Sequence, residues 1–354
     1  MREYGSEHQA ILLPDGYFDS FQQYGSCAWL RSGREALHLV ALSIKRDKQN
    51  PKVLMPAYCC HSMMDPFIKA GWDVAFYPLL TDLSVDTASL QMLLYSVQPD
   101  AVLVMNYFGS TATNEAVSCI KVFSANCICI EDFSHCTFSF PYIYNPKVDF
   151  YVSSIRKSVG VCDGAVVISH YSLNESIIHD NESAFVDERR ESQLQKERYL
   201  FTQNAEEKKE FLSRLQAQEA VLDRFVYVHR ISGFGKAQLS SINGGAIRFA
   251  RITNMKHMLA VLGGKIESIP GIERCLNNAP FSFPIIVNNR DTIQKRLAQA
   301  GVYAPVLWPI PSKARARCSV SARMSDQMLS IPIDQRYNYD DIEDIARIVL
   351  ENCI

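Results

Sequence analysis

Short apolar segments alternate with amphipathic ones over the first half of the chain. The runs KVLMPAY, WDVAFYPL, DAVLVMNYFG and NCICIEDFSH are apolar along most of their length, and segments with helical spacing, such as SGREALHLVALSIKR and SVDTASLQMLLYSV, lie between them. Strands that are apolar on both faces and separated by helices are typical of a mostly parallel sheet covered on both sides. The pattern predicts an α/β domain with ligand-binding residues at the carboxyl ends of its strands.

Two other patterns follow in the second half of the chain. Residues 185–225 are charged and sparsely apolar, which predicts one or two exposed helices, and a glycine-rich break, ISGFGKAQLSSINGGA, precedes a further helix. Beyond it, FSFPIIV, VYAPVLWP and MLSIPID predict strands, and RDTIQKRLAQAG and YDDIEDIARIVLENC predict helices. We therefore expect a large domain over residues 1–240 and a smaller α+β domain over residues 241–354.

Composition and charge narrow the class of protein. A chain of 354 residues with 47% hydrophobic residues can bury a large core, and its net charge of -2 includes no basic block that would indicate nucleic-acid binding. The apolar runs are too short to cross a bilayer, and the N-terminus carries no apolar leader. We expect a soluble cytoplasmic protein that binds neither membrane nor nucleic acid.

The eleven cysteines form no CxxC pair, so reduced and buried thiols are the expectation. A zinc site built from Cys60, His61, His135 and Cys136 has little support from their spacing. The sequence therefore predicts no metal site.

Two polar motifs lie at the start of a predicted helix and just after a predicted strand. Ser32, with a glutamate three residues later, forms either a capping box or, with Gly33 and Arg34, an anion site at a helix N-terminus. Tyr58, after KVLM, either is a buried turn residue or covers a flat ligand ring. Both motifs allow a structural and a functional interpretation.

Two further motifs carry ionisable groups. Asp132 follows the strand CICI, where a buried carboxylate needs a cationic partner such as a protonated ring nitrogen, unless it caps a helix. Lys157 follows Ser153 and Ser154, whose hydroxyls can bind a phosphate. Lysine is a covalent catalyst of carbonyl chemistry, although a surface lysine is the simpler interpretation. Together, a phosphate site, a ring cover, an acid and a lysine fit pyridoxal 5'-phosphate (PLP).

The motifs SGREALHL, PAYCCHSMMDPF, VLVMNYFG, IEDFSH and VDFYVSSIRKS, in this order, resemble the DegT/DnrJ/EryC1/StrS family of PLP-dependent sugar aminotransferases. The resemblance resumes at FSFPIIVNNRDTIQKRLAQAGV and LSIPIDQRYNYDDIEDIARIV. It implies fold type I, the aspartate aminotransferase-like architecture, with a mostly parallel sheet in the large domain and a smaller C-terminal domain. It also implies a homodimer that moves an amino group from a donor, glutamate in this family, to a keto acceptor, often a nucleotide-linked keto sugar.

The resemblance assigns roles residue by residue. Lys157 is the Schiff-base lysine, Asp132 pairs with the pyridine nitrogen, and His135 lies near the ring hydroxyl together with Asn106. The phosphate loop falls on Ser32, Gly33 and Arg34. The chain departs from the family where an aromatic residue usually stacks on the ring, because Cys60 stands there and Tyr58, Cys60 or His61 would cover the ring instead. It departs again where a phosphate serine usually precedes the lysine by five residues: Val152 stands there, so Ser153 or Ser154 would serve.

Three alternatives remain beside the aminotransferase. A PLP-dependent lyase or dehydratase would use the same fold, although sugar dehydratases of this family carry histidine in place of the lysine. A catalytically degenerate, PLP-binding regulator would fit the missing N-Y-R-M loop near GFGKAQLSSING. A nicotinamide dehydrogenase has the least support, because no GxGxxG follows the first strand.

Overall fold

A computed structural model of the chain describes residues 3–5, 14–45, 48–110, 112–181 and 183–353. Its strands are β1 (Ser26–Leu30), β2 (Lys52–Pro56), β3 (Asp73–Tyr77), β4 (Ala101–Met105), β5 (Ile128–Asp132), β6 (Phe150–Ser153), β7 (Ala165–Ser169), β8 (Ile178–His179), β9 (Val228–His229), β10 (Phe283–Ile286) and β11 (Met328–Ile331).

The helices are α1 (Gly33–Lys45), α2 (His61–Lys69), α3 (Thr87–Val97), α4 (Thr113–Phe123), α5 (Ser183–Thr202), α6 (Ala205–Asp223), α7 (Gly233–Ser240), α8 (Gly244–Leu262), α9 (Arg290–Gln299), α10 (Ser312–Arg317), α11 (Ser319–Gln327) and α12 (Tyr339–Cys353). Within the described ranges, none of these helices combines the length and the apolar character that a membrane span requires.

Seven strands form one mostly parallel sheet, which confirms the predicted α/β class. The chain divides into two compact units. The first unit comprises Met1–Gly5, Lys48–Asp149 and Gly245–Ile354, and the second comprises Ser6–Asp47 and Phe150–Gly244. One boundary, after Gly244, lies close to the predicted domain boundary at residue 240, but residues 245–354 join the segment Lys48–Asp149 in one unit.

The first unit contains the parallel strands in the order β3-β2-β4-β5. Every residue of β4 is buried, which explains why its sequence is apolar on both faces. The helices α2, α3 and α4 alternate with these strands along the chain, and Asp86 caps α3 by accepting a hydrogen bond from the Ser89 backbone N–H at 3.0 Å. The antiparallel pair β10–β11 belongs to the same unit.

The second unit contains β1, β7 and β6, in which β7 is antiparallel to both neighbours. Its charged segment folds as two helices, α5 and α6, joined by a short turn at Gln203 and Asn204, as the pattern predicts. The two-residue strands β8 and β9 pair with each other at the two ends of this helical hairpin.

Two predictions of local structure are wrong. The segment VYAPVLWP contains no strand, because prolines at positions 305 and 309 remove the backbone N–H groups that a ladder needs. The glycine-rich break contains the helix α7, in which the Ser232 hydroxyl caps the first turn by accepting from the Gly235 N–H at 2.9 Å. The pattern also missed β1, in which only Ala28 and Leu30 are buried.

Candidate active site

The eleven residues predicted to form the site divide between the two units. Five of them lie in the first unit, namely Tyr58, Cys60, Asn106, Asp132 and His135, and six lie in the second, namely Ser32, Gly33, Arg34, Ser153, Ser154 and Lys157. The two groups differ in chemistry, and each is built on the ends of strands in its own unit.

In the first unit, the predicted residues follow the carboxyl ends of three neighbouring parallel strands. Strand β4 pairs with both β2 and β5, and the Asn106 N–H extends the ladder by donating to the Asp132 carbonyl at 2.9 Å. Tyr58 and Cys60 come after β2, Asn106 after β4, and His135 after β5. The geometry of a parallel sheet therefore brings these side chains to one edge, as the sequence predicts.

Asp132 is a buried carboxylate at this edge. Its residue is 5% exposed, and its Oδ1 accepts a hydrogen bond from the Ser134 backbone N–H at 2.9 Å. This hydrogen bond, from the backbone N–H two residues further along the chain, closes a local turn that orients the carboxylate. An acidic group held in this way at a strand end suits a protonated ring nitrogen.

Glu131, the residue before Asp132, is fully buried in a polar cluster of its own. Its Oε1 accepts from Asn106 Nδ2 at 3.0 Å and from Thr113 Oγ1 at 3.1 Å. Burial, which outweighs these hydrogen bonds, raises the pKa of Glu131 to about 7, and the charge of Asp132 acts in the same direction. The Asn106 amide group thus ties β4 to β5, and its predicted contact with a ring hydroxyl stays a prediction.

Aromatic side chains surround the imidazole of His135. The ring of Phe281 stacks on it at 5.4 Å between centroids and an interplanar angle of 15°, while Trp308 lies at 5.3 Å and Phe108 at 5.0 Å. His135 itself is 2% exposed. The sequence analysis missed Phe281 and Trp308, because both come from segments more than 140 residues further along the chain and outside any strand or helix.

Tyr58 is buried between two other aromatic rings, Tyr107 at 5.8 Å and Trp308 at 5.3 Å. Burial raises the pKa of its hydroxyl well above the usual value, so the phenol stays neutral. Cys60 precedes α2, and its Sγ lies 2.8 Å from Ser62 Oγ. Which of these side chains would cover a flat ligand stays open.

In the second unit, the start of α1 lies against the end of β6. A Cβ atom on Gly33 would stand 2.8 Å from the Cβ of Ser154, so only glycine allows the two segments to approach. Ser153 and Ser154 are both buried. Two motifs that are 120 residues apart in the sequence therefore meet, at a helix N-terminus whose backbone N–H groups can bind an anion.

The serine and glutamate of the predicted capping box interact differently from that motif. Ser32 Oγ accepts from the Glu35 N–H at 3.4 Å, but the Glu35 carboxylate accepts from Ser32 Oγ at 2.6 Å and from Arg31 at 2.8 Å. His229 Nδ1 lies 2.8 Å from the same carboxylate. Glu35 therefore anchors a buried ion pair, and the hydroxyl hydrogen of Ser32 is used inside the chain.

Arginines in this unit converge on Glu219 of α6. Arg156 binds both carboxylate oxygens at 2.7 and 3.0 Å, Arg189 lies at 3.4 Å, and Arg34 lies at 3.6 Å while pairing with Asp223 at 2.6 Å. Burial opposes ionisation of Glu219, but the charges and hydrogen bonds of the guanidinium groups outweigh it and lower its pKa to about 2. Arg34 is thus held by carboxylates of α6.

Lys157 ends a short 3₁₀ helix, Ile155–Lys157, directly after β6. The N–H groups of Ile155 and Arg156 donate to the Gly164 carbonyl at 3.1 and 3.2 Å, which fixes the turn. The Arg156 side chain is bound to α6, whereas the Lys157 side chain is exposed. Lys157 is therefore an exposed residue at the end of a turn that backbone hydrogen bonds hold, and its predicted bond to a cofactor stays a prediction.

Comparison with known proteins supports the fold. The structure is similar to PseC from Helicobacter pylori, an aminotransferase involved in the biosynthesis of pseudoaminic acid, with a TM-score of 0.67 and 12% identity over 99% of both chains. It is similar to a DegT DnrJ EryC1 StrS aminotransferase from Brucella abortus, with a TM-score of 0.63 and 12% identity over 97% of this chain and 91% of that one. The chain has the fold of these aminotransferases.

The same fold is found in the PLP form of Spr1654 from Streptococcus pneumoniae, described as a sugar aminotransferase, with a TM-score of 0.65 and 11% identity over 97% and 93% of the two chains. The sequence matches no protein-family model, and no curated protein is detectably similar to it. The predicted resemblance to the sugar aminotransferases is thus confirmed at the level of the fold. Among the described residues, no group of three or more His, Cys, Asp or Glu side chains could hold a metal ion.

Proposed function

We propose that the protein is a PLP-dependent aminotransferase of the DegT/DnrJ/EryC1/StrS type. The observation that carries the proposal is the buried carboxylate of Asp132 at the end of β5, three residues before His135, in a fold shared with sugar aminotransferases. One neighbour with this fold is in a PLP form. The residues present fit the cofactor: Asp132 suits the pyridine nitrogen, and the close approach of Gly33 to Ser154 leaves a helix N-terminus suited to a phosphate.

Two residues would carry the chemistry. PLP, when bound, forms imines with amines and accepts the electrons of the carbon next to them. Lys157 would hold the cofactor through its Nζ and, once released by an amino donor, move a proton as general base and acid. Asp132 would keep the proton on the pyridine nitrogen by its negative charge. His135 and Asn106 would orient the ring hydroxyl.

Phosphate binding would fall to the second unit. The backbone N–H groups at the start of α1 and the hydroxyl groups of Ser153 or Ser154 are the donors that we propose. Arg34 would contribute positive charge, although its guanidinium is shared with Glu219 and Asp223. Tyr58, Cys60 or His61 would cover the ring.

The substrates follow by analogy. Spr1654, which has the same fold, is described as a sugar aminotransferase, which supports a keto sugar as amino acceptor. We propose glutamate as donor and a nucleotide-linked keto sugar as acceptor. We also propose a homodimer in the cytoplasm, because a two-fold pair is the commonest assembly of soluble proteins and the exposed residues of α5 and α6 offer a contact surface.

The test is covalent trapping. The purified protein is incubated with PLP, reduced with borohydride and digested, and the modified peptide is identified by mass spectrometry. We expect the label on Lys157 and no label in Lys157→Ala. Lys52→Ala, which removes an exposed lysine beside Asp100, is the control and should label normally. A label on another lysine in the wild type contradicts the assignment.

A donor panel separates the reaction types. An aminotransferase releases one keto acid per site from a donor alone, with loss of the PLP absorption band, and a keto sugar then restores the band. A lyase or dehydratase instead consumes a single substrate without keto acid from a donor. A degenerate regulator binds PLP but shows no spectral change with any amino acid.

A further inference from the structure

A short segment of the first unit, Asn278–Phe281, crosses the loops that follow β4 and β5, and we call it the clasp segment. Its hydrogen bonds to these loops are Asn278 Nδ2 to Gly109 O, Ala279 N to Ser139 Oγ (2.8 Å) and Phe281 N to His135 O (2.8 Å). Gly109 has φ +79°, and a Cβ on it would stand 2.7 Å from the Cβ of Asn278, so the contact is close. The clasp segment is therefore fixed to both loops at several points.

Arg251 of α8 holds the clasp segment from the other side. Its Nη1 donates to the carbonyls of Pro280 at 2.9 Å and Phe281 at 3.0 Å, and its Nε donates to Gln335 Oε1 at 3.0 Å. Arg251 is 2% exposed, and burial lowers its pKa to about 10, so it remains charged at neutral pH. A planar guanidinium can bind two successive carbonyls and a third acceptor at once, which a lysine ammonium on a flexible stem does not reproduce.

The ring of Phe281 connects this anchor to the candidate active site. It lies nearly parallel to the imidazole of His135, with 15° between the planes, and its own N–H bonds the His135 carbonyl. The backbone and the ring of Phe281 therefore both contact His135. A shift of the Phe281 backbone would move the aromatic surface that supports one face of the imidazole.

We propose that Arg251 is a positioning residue, which orients His135 through the clasp segment and Phe281. The consequence for cofactor chemistry rests on the proposed function, because it requires that His135 contact PLP. The positioning itself does not, since it concerns only contacts within the chain. Without the guanidinium, two buried carbonyls lose a charged donor, and the segment that carries Phe281 is released.

The test compares Arg251→Lys and Arg251→Met with Asn254→Ala. Asn254 is a matched control on the same helix: it is also buried and donates to three backbone carbonyls, those of Ile333, Asp334 and Tyr337, but not to the clasp segment. The first readout is the NMR signal of the His135 Cε1–H in the protein without added PLP, assigned with His135→Gln. The stacked ring of Phe281 shifts this signal, and Phe281→Leu gives the reference without the ring. The second readout is the affinity for PLP.

We expect both Arg251 variants to move the His135 signal toward its position in Phe281→Leu and to weaken PLP binding roughly tenfold. Asn254→Ala should lower the melting temperature but leave the His135 signal in place. An unchanged His135 signal in folded Arg251→Lys overturns the proposal, as does an equal change in Asn254→Ala. If the wild type binds no PLP, the proposed function fails, and the NMR comparison alone still decides whether Arg251 positions His135.

Discussion

Two glutamates, Glu131 in the first unit and Glu219 in the second, have pKa values that are shifted in opposite directions. Loss of water contact is the largest influence on the pKa of each, and it favours the protonated form in both. Glu131 accepts hydrogen bonds from an amide and a hydroxyl, which carry no charge, and its pKa rises to about 7. Glu219 has three arginines around it, and its pKa falls to about 2.

The difference reflects how the two units hold their predicted site residues. The first surrounds its polar groups with aromatic rings and neutral hydrogen bonds, and we propose that it binds the flat ring whose protonated nitrogen pairs with Asp132. The second surrounds them with guanidinium groups and a helix N-terminus, which suits a phosphate. Burial alone therefore does not decide the charge of a carboxyl, and the partners do.

The largest effect is expected at Asp132, whose proposed role requires its negative charge. Asp132→Asn keeps the shape but removes the charge that would hold a proton on the pyridine nitrogen. We expect turnover to fall roughly 10²- to 10³-fold with little change in melting temperature. Steady-state kinetics and thermal unfolding measure the two quantities.

Asp149→Asn is the control for the Asp132 substitution. Asp149 is also a buried carboxylate of the first unit, but it pairs with Lys121 at 2.5 Å and does not lie at the carboxyl end of a parallel strand. We expect Asp149→Asn to lower the stability of the protein more than it lowers turnover. Turnover of Asp132→Asn near the wild-type value would exclude the proposed role.

Glu131→Gln tests the first unit, in which the buried carboxyl group of Glu131 has neutral hydrogen-bond donors. A raised pKa means that the native state binds the proton more tightly than the unfolded state, so the stabilisation is complete below pH 4.5 and is lost as the pH rises through about 7. Glutamine cannot ionise and escapes this loss. Between pH 4 and pH 8, the free energy of unfolding should shift in favour of the variant by about 2 to 3 kcal/mol. Urea titrations across this range measure it, and parallel pH profiles of the two proteins would contradict it.

Gly33→Ala tests the close approach of α1 to β6. The added methyl group would stand 2.8 Å from the Ser154 Cβ, and we expect a loss of about 1 to 3 kcal/mol in the free energy of unfolding. Gly233→Ala is the control, because a Cβ there meets no atom within 4 Å at the first position of α7. That change should stay within about 0.5 kcal/mol. Equal effects at both positions would show that the contact with Ser154 is not tight.

Glu219→Gln gives the smallest expected effect, because the side chain is 39% exposed and solvent screens its ion pairs. A lowered pKa contributes stability that is present above pH 4.5 and is lost as the pH falls toward about 2. At neutral pH the variant should be less stable by about 1 to 2 kcal/mol, and the difference should close in acid.

Glu210→Gln, on the exposed side of α6, is the control for this substitution and should change little. A gap between wild type and Glu219→Gln that persists below pH 2 would show that packing, rather than charge, is lost.

Most of the fold follows from the sequence, because a strand such as β4, apolar at every position, can only be a buried strand of a covered sheet. The exceptions have local causes. The segment VYAPVLWP is apolar enough for a strand, but its prolines prevent a ladder. The helix α7 contains two glycines among its first three residues, and its start depends on the Ser232 cap rather than on helix propensity.

The candidate site is predictable only where its residues lie directly at a strand end. Asp132 ends β5 and Asn106 follows β4, so the rule about carboxyl edges predicts both positions. Phe281 and Trp308 contact His135 across more than 140 residues of sequence, Arg251 binds the backbone of Phe281 from a separate helix, and no local pattern marks these residues. Likewise, three arginines converge on Glu219, and no local sequence pattern around any of them predicts this contact.

The pairing of β8 with β9 also determines how well the helical hairpin between them, formed by α5 and α6, tolerates an insertion. Ile178 faces Val228 across this pair, so the chain is already closed at the base of α5 and α6. At the far turn, Gln203 is exposed with φ +55°, and its neighbour Phe201 is 93% exposed. Lengthening a loop that is closed elsewhere costs only about 0.6 kcal/mol of chain entropy per doubling. The Gln203–Asn204 turn is therefore a position where a fluorescent tag or a small domain can be inserted while the rest of the protein keeps its fold.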